Sequence, residues 1–552
     1  MRPSVDFMGR RAAIPLACFA MPMTLVSQSA TDASQLRLST HLVQFGVIVR
    51  DANGPVGNLT KDDFQVIDRG TTQAIRVFST DSSEPAAQPA QPLPQNTYSD
   101  QVQYGASQPR SVTIILLDNL NTLNSSAPLP HESTPRWLED HALAAAQQRL
   151  IEFLRQMDPR DRIAIYGLTD KLHVLCDFTC NRDRLLTVVR RYNATGKTPR
   201  DTAEPGTYHF EEMDPEKNLH GFEGGQDEGA AELAAMKNED RAAATMAALA
   251  AIAAHVADIP GRKNLLWLTG NLVISGQAAA SILVRGNIAA YPVDARGLLP
   301  RAPLMDMSDV EDADAYAEGK VGAPPSMSSQ PIGIDAMEQM AEDTGGHAFV
   351  NTNDLTGAIR KAVEDSAVTY TLGFYLDPRS VDGKFHKLRV EVKRPGLNVT
   401  YPKGYFAFKD EPATQDESRN SFLAAIRSPL NSSAIPLEVK VDSDGQPATR
   451  SLQIVCTVGL KDALLLKDGE MRRGKLDIYT VEQDAQGNVL QQTNSRLNLN
   501  LTEQQYQTYL QSGVFFRKSV EPKQDATVLR VLVQFSGTPT VGSVIIPLAN
   551  SK

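Results

Sequence analysis

Between residues 41 and 78 apolar side chains recur at every second position: Val43, Phe45, Val47 and Val49, then Phe64 and Val66, then Ile75 and Val77. That period belongs to strands with one face covered, and Asp51-Ala-Asn-Gly54 supplies a turn after the first run. Residues 36–80 therefore read as a small antiparallel β unit. The stretch 81–110 is rich in Pro, Gln, Ser and Ala, offers little to bury, and reads as a linker.

From 111 to 366 the pattern predicts alternating strands and helices. Ser111-Val-Thr-Ile-Ile-Leu-Leu-Asp118 is an unbroken apolar and β-branched run that ends on a carboxylate, and polar Asn119, Asn121 and Thr122 follow. A buried parallel strand has this form when it delivers an acid to the carboxyl edge of an α/β sheet, where ligands of such sheets gather. Leu143, Ala146, Leu150, Phe153 and Met157 keep helical spacing until Pro159. Arg162–Thr169 and Leu172–Phe178 form a hairpin about Asp170-Lys171, and Arg182–Tyr192 a short helix. Residues 193–230 are polar and Gly-rich without a period, which marks a long insertion. Ala242–Ala257 is helical, with Met246, Leu249, Ile252 and Val256 on one face; Asn264–Thr269 is a buried strand, Ala278–Ala289 a helix and Ala290–Asp294 a strand. The segment 300–331 carries no pattern, and helices at Ile334–Asp343 and Leu355–Ser366 close the region.

Alternation by twos then returns. Val368–Leu376 and Phe385–Lys393 are strands, the second with Leu388, Val390 and Val392 opposite Lys387, Arg389, Glu391 and Lys393; residues 368–408 are expected to complete the β unit of 36–80. Residues 409–430 are polar and read as a second linker. Beyond them, 431–552 holds strand-like runs at 437–441, 452–458, 476–481 and 528–535 and reads as a C-terminal β-sandwich.

Composition bounds what such a chain does. At 552 residues it is too long for one core. A formal net charge of −10 argues against nucleic acid or an anionic membrane as a main partner. Arg2, Arg10 and Arg11 precede a largely apolar stretch, Ala12–Val26, and small residues at 27, 29 and 30, so residues 1–29 read as a secretory signal. The apolar stretch is too short for a stable span and is broken by Pro15 and Pro22. Export to the periplasm, the cell surface or the medium follows. With Cys18 in the signal, three cysteines remain: Cys176 and Cys180 are either a bonded pair or two unpaired hydrophobes, and Cys456 lies far off.

Motifs of catalysis are missing. No Gly-x-Ser-x-Gly turn follows a strand, no phosphate-cradling Gly-x-x-x-x-Gly-Lys-Ser/Thr occurs, and the glycines of the insertion sit among acids that would repel phosphate. His209, Glu211, Glu212, Asp214 and His220 have no established metal-ligand spacing. Asp294 ends a strand and reads as an acid that fixes its loop through Arg296; Lys387, Arg389, Lys393 and Arg394 read as a solvated or edge-protecting basic face. No catalytic residue is assigned, and the chain reads as a non-enzyme.

Several ordered stretches resemble the von Willebrand factor A (VWA) fold and, within it, the VWFA-related acidobacterial domain family. They are Asn58-Leu-Thr-Lys-Asp-Asp-Phe64, Thr113–Thr122, Gly261-Arg-Lys-Asn-Leu-Leu-Trp-Leu-Thr269, Tyr291-Pro-Val-Asp-Ala-Arg-Gly297, Thr344–Asn353, Tyr370-Thr-Leu-Gly-Phe-Tyr375 and Gly383–Lys393. The resemblance implies an α/β, Rossmann-like doubly wound VWA domain over 111–366, flanked by the antiparallel, Ig-like β unit and the C-terminal β-sandwich. It also implies a protein or peptide ligand at the carboxyl edge, held in better-known relatives through Mg²⁺ in a metal-ion-dependent adhesion site. That motif takes Asp-x-Ser-x-Ser from one loop, a Thr from a second and an Asp from a third, hard oxygens suited to Mg²⁺. Here Asp118 and Thr122 match as metal ligands, but Leu120 replaces the first hydroxyl, Gly270-Asn271 the third-loop acid, and the second-loop Thr falls among Thr195 and Thr198. The site is thus expected to be a degenerate one, with Asp118, Asn119, Asn121, Thr122, Asp170 and Asn271 contacting the partner. Mg²⁺-dependent adhesion and a structural envelope scaffold are the alternatives.

Overall fold

The computed structural model describes residues 42–52, 54–82, 93–101, 111–123, 147–157, 161–178, 180–192, 225–259, 261–295, 333–352, 354–365, 368–407, 414–443, 451–461, 463 and 465–548. The expected signal segment, the insertion residues 193–224 with their candidate ligands, Arg296 and the segment 300–331 lie outside these residues.

At the centre is a five-stranded sheet of β1 (Ser111–Asp118), β2 (Asp161–Leu168), β3 (Leu172–Cys176), β4 (Lys263–Thr269) and β5 (Ile288–Asp294), in the spatial order β5-β4-β1-β2-β3. β5, β4, β1 and β2 run parallel, with Asp118 level with Leu168 and Thr269 level with Asp294. β3 returns antiparallel through the turn at 169–171. The chain moves from β1 to β2 on one side and later to β4 on the other, so Asp118 ends the strand at the topological switch point.

The strands are apolar throughout because both faces are covered. On one face Ile114, Leu116, Leu265 and Trp267 pack against Leu249 and Ile252 of α4 (Gly225–His255), Leu283 of α5 (Gly276–Arg285) and Met337 of α6 (Ile334–Thr344). On the other, Ile115, Leu117, Leu266 and Leu268 meet Leu150 and Leu154 of α2 (147–156), Leu185 and Val189 of α3 (Arg182–Arg191) and Ile359 of α7 (Leu355–Glu364). The short α1 (Asn119–Leu123) follows β1 directly.

Strands from 42–82 and 368–406 pair with each other in two antiparallel sheets. Leu42–Asp51 runs beside Val368–Tyr375, and Phe64–Asp68 beside Phe385–Val392. Phe45, Val47, Phe64, Val66, Tyr370 and Leu388 are among the side chains of one shared core. The sequence gives this strand only one covered face, yet all of 45–49 is buried. A Cβ at Gly46 would meet the Arg262 side chain at 3.2 Å, so the outer face abuts the α/β unit.

Two further antiparallel sheets make the C-terminal β unit around Leu437, Ile454, Leu476 and Val531. Two linker readings are corrected here. Gln415–Arg427, within the stretch 409–430, is a helix that buries Phe422, Ala425 and Ile426. Thr97–Ser99, within 81–110, pairs with Leu437–Ser443 as an edge strand of this unit. Both segments are mostly polar because only a narrow strip of each is covered, which defeats a reading based on apolar content. No helix among the described residues is long and apolar enough to cross a membrane.

Candidate functional site

The β-branched run of β1 ends at Asp118 because the chain turns at once into α1, and the carboxylate itself organises that turn. Asp118 Oδ1 accepts from the Asn121 backbone N–H at 2.9 Å. Its Oδ2 accepts from Asn121 Nδ2 at 2.8 Å and from the indole Nε1 of Trp267, on the neighbouring β4, at 2.9 Å. The second amide hydrogen of Asn121 goes to Thr245 Oγ1 on α4 at 3.0 Å, and Thr245 donates to the Arg241 carbonyl one turn earlier. Thr122 Oγ1 donates to the Asp118 carbonyl at 2.5 Å and accepts from the Gly270 N–H at 2.9 Å. Gly270 permits that contact: a Cβ there would stand 3.1 Å from Thr122 Cα.

Asp118 is wholly buried, and burial lifts its pKa above the ordinary carboxylate range although Asn121 and Trp267 pull the other way. Neutral N–H groups are aimed at both of its oxygens. They leave the carboxylate satisfied but not neutralised.

The residues do not fit Mg²⁺. The Asp118 oxygens and the Thr122 hydroxyl are spent on N–H groups, and Leu120 is a fully buried core side chain between the sheet and its helices. Among the described residues no three His, Cys, Asp or Glu side chains gather as a metal site. The geometry therefore argues against Asp118 and Thr122 as metal ligands.

Of the expected contact residues, Asp118, Asn119, Asn121 and Thr122 are all buried beneath the edge, which argues against direct contact with a partner. Asn271 is 9% exposed at the rim of the β4–α5 loop, where Thr269 Oγ1 donates to its carbonyl. Asp170 is exposed on the β2–β3 turn, with Thr169 Oγ1 donating to it at 2.8 Å and His173 Nε2 lying 3.8 Å away, hydrogen-bonded to Thr169 Oγ1. So Asp118, Asn121, Thr122 and the Gly270 loop come together as one buried assembly, and Asp170 stands outside it.

Sequence reasoning missed Trp267 and Thr245. Thr245 had a visible signal, since it lies four residues before Leu249 on the apolar face of its helix, and a hydroxyl there needs a partner. Trp267 had none beyond its place in a buried strand. The other sequence candidates resolve into structural roles. Arg394 forms a two-pronged ion pair with Asp63, with both contacts at 2.9 Å, and draws that half-buried acid down to about 2. Lys393 donates to the Asp62 carbonyl, and Arg389 pairs with Glu391. Asp294 is buried at the end of β5, and its N–H donates to the Phe349 carbonyl. Cys176 and Cys180 are disulfide-bonded, and Cys456 is free and buried.

No family model matches the chain, and no curated protein matches it. Among solved structures, proximal thread matrix protein 1 from the mussel byssus aligns at 7% identity and TM-score 0.26, over 47% of this chain and 49% of that one. The chain thus spans about half the length of the mussel protein, which has also been solved with a zinc-occupied MIDAS motif. BatB from Bacteroides thetaiotaomicron aligns at 11% identity and TM-score 0.25, over 47% of this chain and 98% of that one. A von Willebrand factor type A protein from Catenulispora acidiphila aligns at 9% identity and TM-score 0.26, over 67% and 82%. Likeness at this level does not establish the acidobacterial family and carries no argument about the site, which rests on the chain's own geometry.

Proposed function

We propose that the chain is an exported, non-enzymatic interaction protein whose VWA-like unit takes a protein or peptide at the carboxyl edge of its sheet without a divalent ion. One observation carries this reading: the Asp118 carboxylate is held by Trp267 and Asn121 donors rather than left open toward solvent. An acid so enclosed is no general base, nucleophile or metal ligand. It serves to stiffen the β1–α1 turn and, through Thr122, the Gly270-Asn271 loop, so that the rim keeps one shape. Contacts are then made by what the rim exposes, the Asp170-Lys171 turn and Ser275 in the loop after Asn271. The Cys176–Cys180 bond supports passage through an oxidising compartment.

The test is selection of displayed peptides on the oxidised chain, followed by titration of the survivors in EDTA and in Mg²⁺. Equal affinity in both, with a loss of about tenfold (about 1.4 kcal/mol) in Asp170→Ala/Lys171→Ala, is the expected result. Binding abolished by EDTA would return the site to metal-dependent adhesion. Binding indifferent to the double substitution would move the surface away from this edge and favour a scaffold.

A further inference from the structure

The disulfide sits beside the junction between the α/β unit and the C-terminal β unit. Between its two cysteines lie Asp177 and Phe178, and both hold one side chain, His255 at the end of α4. Asp177 Oδ2 lies 3.1 Å from His255 Nε2, and the Phe178 ring stacks on the imidazole with centroids 6.3 Å apart. Asp177 is in turn fixed by the Tyr166 hydroxyl, which donates at 2.9 Å from β2. The other nitrogen of His255, Nδ1, lies 2.9 Å from the carbonyl oxygen of Asn431, in the segment that leads from the helix Gln415–Arg427 into the C-terminal sheets. Two residues on, Ser433 reinforces the same seam: its N–H donates to the Ala254 carbonyl and its hydroxyl to the His255 carbonyl. Asn431 passes the connection inward, since its Oδ1 accepts from the Ile545 N–H at 3.0 Å.

One short covalent loop therefore grips a histidine that grips the next unit. Nothing in the carboxyl-edge reading uses this arrangement, which lies at the outer strand of the sheet. A histidine buried between an acid and a carbonyl is commonly a satisfied core group. What sets this one apart is that its acid and its stacking ring both lie inside a loop closed by a reversible bond. The two sulfurs are also unequal in access: Cys176 is buried and Cys180 half-buried.

We propose that the Cys176–Cys180 bond is a redox-set clasp, and that its reduction by a dithiol releases His255 and loosens the C-terminal β unit from the α/β unit. A thiolate of the dithiol attacks Sγ of Cys180, forming a mixed disulfide while Sγ of Cys176 leaves with the bonding electrons and takes a proton. The second thiol of the reductant, as thiolate, then displaces Cys180 Sγ, which also takes a proton, and the reductant closes to its own disulfide. Two electrons pass to the protein and two cysteine thiols result. Opening the loop returns conformational freedom to Asp177 and Phe178, so the geometry at His255 is no longer enforced by the covalent link.

Amide hydrogen exchange on the full chain, oxidised and after treatment with a small dithiol, tests this, with a thiol count to show that both cysteines are reduced. Exchange at Ser433 and its neighbours 430–435 is expected to rise by about tenfold or more, while the central β4 amides stay protected. Cys176→Ser/Cys180→Ser is expected to show the fast exchange without dithiol and no further response to it. Unchanged exchange at 430–435 with two thiols freed would overturn the clasp. So would an equal rise in β4, which would mean general unfolding. Should the double variant fail to fold, the wild-type comparison decides alone.

Discussion

Replacing Asp118 by alanine strands three buried N–H donors at once: the Trp267 indole, the Asn121 side-chain amide and the Asn121 backbone. Each stranded donor costs about 1–3 kcal/mol, and the losses overlap because all three meet one carboxylate, so a total of about 3–5 kcal/mol is expected. Urea unfolding checks this, and the midpoint of neither form should move with Mg²⁺, since an ion that binds the native state would raise it by mass action. The presence of Asp118 at the end of β1 was legible from the apolar run that it terminates. Its use was not. The spacing of Asp118, Leu120 and Thr122 resembles a metal motif with one ligand missing, whereas the indole that donates to the carboxylate, Trp267, lies 149 residues away. Sequence proximity cannot reveal a partner supplied by a parallel neighbour strand.

At the scale of elements, helix α3 and strand β2 meet with almost no space between them. Tyr192, which caps α3, lays its hydroxyl against Gly167 in β2, where any Cβ would overlap it. Burial pushes the Tyr192 phenol pKa up, so the group stays neutral in the contact. Gly167→Ala is expected to destabilise by about 1–3 kcal/mol, as overpacking does. Tyr192→Phe in the same chain removes the clashing oxygen and should recover part of that loss, a coupling that a double-mutant cycle in urea measures. Strands with both faces covered were readable as apolar runs, and the parallel set followed from strand–helix alternation. The polar elements were not. Helix Gln415–Arg427 carries a usable signal in its capping box, Thr414 with Glu417, which a reading from overall polarity does not use. Thr97–Ser99 is three residues long and gains its strand conformation only from pairing with Leu437–Ser443, so nothing local could announce it.

Across the whole molecule, the C-terminal β unit is joined to the α/β unit by more than a chain connection, and the joint carries charge. His255 is buried, which alone would lower its pKa, but the hydrogen bond and charge of Asp177, with the Asn431 carbonyl, raise it above the ordinary value. Asp177 is correspondingly drawn down, because its contact with His255 outweighs its own desolvation. A base whose folded pKa exceeds its unfolded one of about 6.5 stabilises fully below that pH, and the contribution is lost as pH rises through the folded pKa. Other groups face the same seam. Asp258 is raised by burial, which costs stability as pH climbs above the ordinary carboxylate range. Burial brings Lys263 down to about 8, so stability gains from it as pH climbs above that value, with the opposite sign. The Tyr166 phenol is raised by burial and by Asp177 and stays protonated throughout. The urea midpoint of the oxidised chain is thus expected to fall as pH rises above about 6.5, until the Lys263 contribution sets in near 8. His255→Gln keeps a donor toward Asp177 without a charge and should abolish that fall while leaving the gain from Lys263 above it. A wild-type midpoint that is flat or rising across the window would mean that His255 is neutral in the folded chain, and that the joint holds by packing of Phe178 and the Ser433 hydrogen bonds instead.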